Sequence, residues 1–250
     1  MAVAELHLGH SKVLGKMTSA YVIFPEGQPG PFPVFYLLHG LSDDHSAWVR
    51  RTSIERYMEG LPFIVVMPNG ERGFYVDAKT RMHSAFDSYI TKELDGFVST
   101  TFRTMTGRRS RVIAGLSMGG YGALGIALRH PDMFCAAASH SGAVGFASRP
   151  FRKNDWWTAE YQPILGKNPK GGPDDLYALA KKLGSARVPA IRIDCGRKDF
   201  LIGENRKYHR YLKRIGIPHE YQEHPGVHNW EYWDLHIRDT IGFFRRVLKV

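Results

Sequence analysis

Apolar runs rich in β-branched residues alternate with longer amphipathic stretches along most of this 250-residue chain. Such alternation predicts an α/β fold, with a mostly parallel central sheet covered by helices on both faces. The runs expected as strands are 21–24, 34–38, 63–67, 112–116, 134–139, 191–195 and 219–223. The stretches expected as helices are 54–59, 89–102, 118–129, 176–183, 205–215 and 231–248.

Residues 145–172 interrupt this alternation with Pro150, Pro163 and Pro169, a Trp156-Trp157 pair and a glycine-rich end. The composition predicts irregular backbone, and we expect an excursion over the functional site. Together with the next amphipathic stretch, this excursion forms a cap-like insertion at about 145–185, before the strand at 191–195. The whole chain, 1–250, is expected to form a single domain.

The composition excludes several classes of protein. The longest purely apolar run, 133–138, is far shorter than the roughly 18 residues of a membrane span, and residues 1–17 lack the apolar core of a secretory signal. We therefore expect a cytoplasmic protein without a membrane partner. The only cysteines, Cys135 and Cys195, are too few for a disulfide framework and are expected as buried thiols.

The net charge of +10 raises the question of a nucleic-acid partner. The basic clusters are divided between a loop and the C-terminal helix, and no aromatic residues are interleaved with them. A solvated basic surface is therefore the expected interpretation, with no nucleic-acid partner, while a homo-oligomer remains open. The clusters are Arg108, Arg109, Arg111 and Arg245, Arg246, Lys249.

The sequence Gly115-Leu116-Ser117-Met118-Gly119 follows an expected strand and precedes an expected helix. This is the context of a nucleophile elbow, in which a strained turn exposes the serine hydroxyl above the sheet. The two glycines leave room for the neighbouring strand and helix. Because Gly-x-Ser-x-Gly also arises by chance, Ser117 is a candidate nucleophile only in combination with partners elsewhere in the chain.

An activated serine needs a histidine base and an acid that orients it, and in this fold the acid and then the histidine follow the serine along the chain. Asp199 lies just beyond the strand at 191–195, and His228 lies between the last strand and the last helix. We therefore predict Ser117, Asp199 and His228 as catalytic residues. Asp194 is the main rival to Asp199 because it stands at the end of the same strand.

The oxyanion of an acyl-transfer intermediate needs aligned hydrogen-bond donors. We expect them to be the backbone N–H groups of Met118, at a helix N-terminus, and of Leu41, after His39-Gly40. Aromatic and histidine side chains near these loops are candidate walls of a substrate pocket. They are Trp48, His140 and Trp230, with Trp156 and Trp157 from the excursion.

These residues resemble the esterase D-like family, and within it the tributyrin or acetyl esterases. The resemblance covers most of the chain and rests on Tyr36-Leu37-Leu38-His39-Gly40-Leu41 with Trp48, Val66-Met67-Pro68-Asn69, 114–122, Cys195-Gly196 with Asp199-Phe200, and Gly226 with His228, Trp230 and Trp233. It implies an α/β-hydrolase fold, the Ser117, Asp199, His228 triad, no cofactor and hydrolysis of short-chain acyl esters through an acyl-enzyme.

Related branches leave the substrate open. They include S-formylglutathione hydrolases, feruloyl or acetylxylan esterases, and acyltransferases. The first branch typically carries threonine and cysteine where this chain has Ser42 and Asp43, and the carbohydrate-linked esterases are usually secreted. A hydrolase fold that serves only as a binding module is the alternative outside enzymes, and an intact triad disfavours it.

Overall fold

The computed structural model describes residues 1–250 and contains one eight-stranded sheet in the order β1-β2-β4-β3-β5-β6-β7-β8. β1 and β2 pair antiparallel, β2 pairs antiparallel with β4, and all remaining pairs are parallel. The strands are β1 Ala2–Ser11, β2 Lys16–Phe24, β3 Val34–Leu38, β4 Ile64–Pro68, β5 Arg111–Leu116, β6 Ala136–His140, β7 Ala190–Gly196 and β8 Glu220–His224. All seven expected strands are confirmed.

β1 escaped prediction because it is an edge strand with little continuous apolar sequence. Its residues alternate between half-buried and exposed: Leu6 and Leu8 pack against the core, while Glu5 and His7 face solvent. The antiparallel register with β2 runs from Ala2 opposite Phe24 to Ser11 opposite Lys16.

Helices lie on both faces of the sheet, as expected. They are α1 Ala47–Arg51, α2 Ile54–Met58, α3 Phe86–Ser88, α4 Asp95–Thr101, α5 Met118–Arg129, α6 Trp156–Leu165, α7 Leu176–Leu183, α8 Ile202–Arg214 and α9 Trp230–Leu248. A π-helical segment, Tyr89–Leu94, joins α3 to α4, and short 3₁₀ turns occupy Arg108–Ser110 and Phe146–Ser148. None of these helices is both long and apolar enough to cross a membrane.

The expectation of irregular backbone over 145–172 is wrong at α6. This helix begins after Asp155, whose side chain accepts the N–H of Trp157, and it contains Pro163 near its end. Proline in the interior of a helix is unfavourable, so the composition concealed the helix. The expectation for the cysteines is confirmed for Cys195, which is buried, but Cys135 is only partly buried; both are free thiols.

Two apolar layers hold the helices to the sheet. α1, α2 and α9 pack on one face through residues such as Trp48, Ile54 and Phe244, while the other helices cover the opposite face. Because β3, β5, β7 and β8 are parallel, their carboxyl ends meet at one edge of the sheet. The loops that follow these four strands, with the first residue of α5, carry every predicted catalytic and oxyanion residue.

Candidate active site

Ser117 stands at the sharp turn between β5 and α5. Its φ of 52° and ψ of −113° lie in a region that non-glycine residues rarely occupy, as a nucleophile elbow requires. The turn is held because the Ser117 N–H donates to the carbonyl of His140 at 2.9 Å and its carbonyl accepts the N–H of Ala143 at 3.0 Å. The strained conformation is therefore fixed by hydrogen bonds to the end of β6 and the loop beyond it.

Gly115 and Gly119 permit the close packing around this turn. A Cβ at Gly115 would come within 2.5 Å of the Gly119 backbone, and one at Gly119 would come within 2.5 Å of the Leu38 and His39 carbonyl oxygens. The start of α5 thus touches the end of β3. This contact brings the Ser117 turn against the loop that carries Leu41.

His228 lies between Ser117 and Asp199. Its Nε2 is 3.0 Å from Ser117 Oγ, and its Nδ1 is 2.8 Å from Asp199 Oδ2. Because the carboxylate accepts from Nδ1–H, Nε2 is left free to accept the serine proton. Phe200 and Trp233 flank the imidazole, with ring centroids 4.5 Å and 4.9 Å away.

Asp199 is buried, and its two carboxylate oxygens have different partners. Oδ2 accepts from His228, while Oδ1 accepts the N–H of Leu201 at 2.8 Å. Burial alone would raise the pKa of Asp199, but the hydrogen bonds from His228 and Leu201 outweigh it and hold that pKa below its usual value. The group therefore stays ionised and can stabilise an imidazolium.

Asp194, the rival acid, belongs to a separate buried network. Its carboxylate contacts His140 Nδ1 at 3.0 Å and accepts the hydroxyl of Tyr232 at 3.0 Å. His140 Nε2 in turn lies 3.0 Å from Thr240 Oγ1. These partners join β6 and β7 to α9 beneath the site, and His228 is bonded to Asp199 instead.

Two N–H groups of residues close to the nucleophile turn have no acceptor in the protein. The Leu41 N–H donates to no backbone or side-chain group, and Leu41 lines a cavity together with Ser117 and His228. Met118 is the first residue of α5, where N–H groups lack intrahelical partners, and no side chain caps this end. Both groups are therefore available to a ligand.

His39 fixes the peptide that carries the Leu41 N–H. Its Nε2 accepts the N–H of Gly70 at 2.8 Å, so the proton resides on Nδ1, which donates to the carbonyl of Gly40 at 2.8 Å. Burial lowers the pKa of His39 to about 4. The neutral ring thus orients the Gly40–Leu41 peptide, whose other end is the Leu41 N–H.

The cavity next to Ser117 has a volume of about 370 Å³ and an amphipathic lining. The lining combines the apolar side chains Leu41, Leu116, Trp230 and Trp233 with the charged side chains Asp43, Arg51 and Glu231. The Asp43 carboxylate accepts the N–H of Gly40 at 3.2 Å. Burial raises the pKa of Asp43, although that hydrogen bond opposes the shift.

Of the predicted pocket residues, only Trp230 lines this cavity. Trp48 is fully buried: its Nε1 donates to the Leu38 carbonyl, and its ring packs edge-on behind Trp230. His140 is fully buried in the Asp194 network. Trp156 and Trp157 lie outside the cavity lining and pack with one another and with Tyr161. These placements correct the expected pocket walls.

Several side chains at the site were not predicted, namely Asp43, Arg51, Phe200, Glu231 and Trp233. Phe200 and Trp233 had a usable signal, because each is a large aromatic within five residues of a predicted catalytic residue. Arg51 had no such signal, since it lies in α1, far in sequence from every predicted catalytic residue.

A group of potential metal ligands, His224, His236 and Asp239, lies outside this site. The two imidazoles are stacked with centroids 4.0 Å apart and planes at 18°, so an ion in the plane of one ring would lie well outside the plane of the other. The Arg192 guanidinium also lies 3.7 Å from the Asp239 carboxylate. This geometry favours a packed polar cluster over a metal centre.

A family model described as "Putative esterase" matches residues 11–244. The chain belongs to this esterase family. It is a serine hydrolase of the α/β-hydrolase type that acts on carboxylic esters. The expected resemblance to esterase D-like proteins is confirmed.

Individual relatives agree with this assignment over nearly the whole chain. An acetyl esterase of Caldicellulosiruptor saccharolyticus is 29% identical over 266 aligned positions, with 99% of both proteins covered. Two solved structures from Staphylococcus aureus each have a TM-score of 0.85 and cover 97% of this esterase and 98% of the neighbour: the fluorophosphonate-binding serine hydrolase FphF, 31% identical, and the S-formylglutathione hydrolase FrmB, 32% identical.

Proposed function

We propose that this esterase hydrolyses short-chain acyl esters through an acyl-enzyme on Ser117, with His228 as the base and Asp199 as its orienting acid. The observation that carries the proposal is the continuous hydrogen-bond path from Ser117 Oγ to His228 at 3.0 Å and from His228 to Asp199 at 2.8 Å. A path of this kind supports proton transfer from the serine hydroxyl as it attacks.

In acylation, Ser117 Oγ forms a bond to the ester carbonyl carbon while its proton moves to His228 Nε2. The carbonyl π electrons move to oxygen, and the N–H groups of Leu41 and Met118 stabilise the resulting oxyanion. When the tetrahedral intermediate collapses, the bond between carbon and the leaving oxygen breaks. The leaving oxygen takes the proton from His228 and departs as an alcohol.

In deacylation, water takes the place of the alcohol. His228 accepts a proton from water as the water oxygen attacks the acyl-enzyme carbonyl. The same two N–H groups stabilise the second oxyanion. Collapse breaks the bond to Ser117 Oγ, which regains its proton from His228. The products are one carboxylic acid and the free enzyme.

A short acyl chain is supported by the cavity next to the nucleophile. Its volume of about 370 Å³ is at the small end of ligand pockets, which span roughly 300–1,000 Å³. Trp230 and Trp233 are T-shaped to each other, with centroids 5.3 Å apart, and form a rigid apolar wall. The name of the Caldicellulosiruptor relative, an acetyl esterase, agrees with a small acyl group.

A series of p-nitrophenyl esters from acetate to palmitate, assayed on the wild type and on Ser117→Ala, tests the proposal. We expect kcat/KM to be highest at acetate or butyrate, and the variant to lose activity on all esters. A maximum at palmitate would overturn the chain-length assignment. Equal rates from both proteins would overturn the role of Ser117.

Thioester hydrolysis is a second candidate, favoured by the 32% identity to the S-formylglutathione hydrolase FrmB. The same triad would attack a thioester, so the distinction lies in the leaving group. Comparing kcat/KM for S-formylglutathione and p-nitrophenyl acetate separates the two. A preference of a hundredfold or more for the thioester would make it the principal activity.

A further inference from the structure

Phe200 is a large apolar side chain that is 76% exposed, although it follows directly after the buried Asp199. A single exposed apolar side chain is ordinary on a protein surface, so it is the place of Phe200 beside a functional group that gives it meaning. The Phe200 ring lies 4.5 Å from the imidazole of His228, at an angle of 48°. It is therefore at the active site, yet it lies outside the lining of the cavity that contains Trp230.

The position of Phe200 is fixed by the backbone. Asp199 Oδ1 accepts the N–H of Leu201 at 2.8 Å, which closes a turn with Phe200 at its apex. The same loop is tied to the His228 loop, since the Lys198 N–H donates to the Gly226 carbonyl at 2.9 Å. The loop that presents Phe200 is therefore held in place before a substrate binds, which limits the binding energy lost to ordering its backbone.

The chemistry of acylation indicates what such a ring can contact. His228 Nε2 must deliver a proton to the leaving oxygen, so that oxygen lies within hydrogen-bond reach of the imidazole. The substituent on this oxygen then extends past His228, which Phe200 flanks. Val227, the residue before His228, is 42% exposed and adds apolar surface to the same loop pair.

We propose that Phe200, with Val227, forms a subsite for the leaving group and selects esters whose alcohol part is apolar and extended, such as an arylalkyl alcohol. The inference rests on the proposed function, because it takes the direction of proton delivery from the triad. The cavity lined by Trp230 and Trp233 then accommodates the acyl side. The two parts of the ester are recognised by different side chains.

The test uses two acetates whose alcohols have similar acidity, ethyl acetate and 3-phenylpropyl acetate. In Phe200→Ala, we expect kcat/KM for 3-phenylpropyl acetate to fall about tenfold through KM, since one face of a phenyl ring loses its contact. The loss on ethyl acetate should be much smaller, so that the ratio of kcat/KM for 3-phenylpropyl acetate to that for ethyl acetate falls about fivefold or more. Phe200→Leu, which keeps an apolar side chain, should recover part of the loss.

Leu235→Ala provides a matched control, because Leu235 is an apolar residue of α9 that is 56% exposed. This variant should have the wild-type kcat/KM for both acetates. Ethyl butyrate tests whether Phe200 contacts the alcohol part or the acyl part of the ester. The ratio of kcat/KM for ethyl butyrate to that for ethyl acetate should be the same in Phe200→Ala and wild type. A changed ratio would assign Phe200 to the acyl side and overturn the proposal.

An equal fall in kcat for both acetates in Phe200→Ala would mean that Phe200 only shields the His228–Asp199 pair from water. This result would also overturn the proposal. Failure of the proposed function gives a different result, because wild-type protein would then turn over neither acetate. Far-ultraviolet circular dichroism and thermal unfolding of each variant identify any loss that comes from misfolding. Phe200→Leu then carries the comparison if Phe200→Ala does not fold.

Discussion

His39 Nδ1 donates to the carbonyl oxygen of Gly40 at 2.8 Å, on the peptide unit whose N–H belongs to Leu41. Orientation of this peptide decides whether the Leu41 N–H can reach an oxyanion. Loss of one oxyanion donor costs about 100- to 1,000-fold in kcat in well-studied hydrolases. We expect His39→Ala to lower kcat by about 10- to 100-fold with a small change in KM, measured by steady-state kinetics. An unchanged kcat would contradict this role.

The pH dependence of stability follows from the same residue. Because burial lowers the pKa of folded His39 from 6.5 to about 4, the unfolded chain binds the extra proton between these values. The contribution of neutral His39 to stability is therefore complete above pH 6.5 and decreases as pH falls toward 4. As pH falls through this window, the free energy of unfolding of the wild type should decrease by about 1.4 kcal/mol per pH unit relative to that of His39→Gln.

Urea unfolding of wild type and His39→Gln at several pH values between 4.5 and 7.5 measures this slope. Glutamine keeps a donor and an acceptor but does not titrate in the range. Parallel pH dependences for the two proteins would show that His39 has an ordinary pKa in the folded state.

Asp43 provides a second support for the oxyanion loop, through its acceptance of the Gly40 N–H at 3.2 Å. Asp43→Asn retains an acceptor oxygen and should keep kcat within about threefold, whereas Asp43→Ala should lower kcat about tenfold. Asp44→Ala is the matched control, because the Asp44 carboxylate accepts the N–H of Ser46 at 2.9 Å and lies outside the cavity lining. Equal kcat values for Asp43→Ala and Asp44→Ala would contradict the role of Asp43 in supporting the oxyanion loop.

Substitution of Asp199, which follows β7, should lower activity, whereas substitution of Asp194, within β7, should lower stability. Asp199→Asn removes the charge that stabilises the His228 imidazolium, and we expect kcat to fall by about 10⁴-fold, as for the equivalent change in a serine protease. Asp194→Asn should chiefly destabilise the protein, because it disrupts a buried network with His140 and Tyr232. Steady-state kinetics and thermal unfolding of both variants separate the effects; a reversed pattern would exchange their assignments.

The strands at the centre of the parallel sheet could be predicted because they are buried on both faces and are mostly apolar, as at Val34–Leu38. β1 could not be, since only alternate residues contact the core. α6 was concealed because Pro163 and its flanking prolines are typical of loops, and only the Asp155 cap signals its start.

The chain order of Ser117, Asp199 and His228, together with their positions beyond strand ends, predicted which residues meet, because parallel strands bring their following loops to one edge. The pocket walls were harder to predict. Proximity in sequence to a catalytic loop does not fix the direction of a side chain, so Trp48 and His140 point into the core while Asp43 and Arg51 reach the cavity. Direction depends on tertiary packing that local sequence does not encode.

The most direct test of the account is the identity of the residue that becomes acylated. A fluorophosphonate or a rapidly quenched p-nitrophenyl butyrate reaction, followed by peptide mass spectrometry, locates the covalent adduct. We predict one adduct per chain, on the peptide that contains Ser117, and none in Ser117→Ala. An adduct on any other residue, or full esterase activity in Ser117→Ala, would contradict the proposed mechanism.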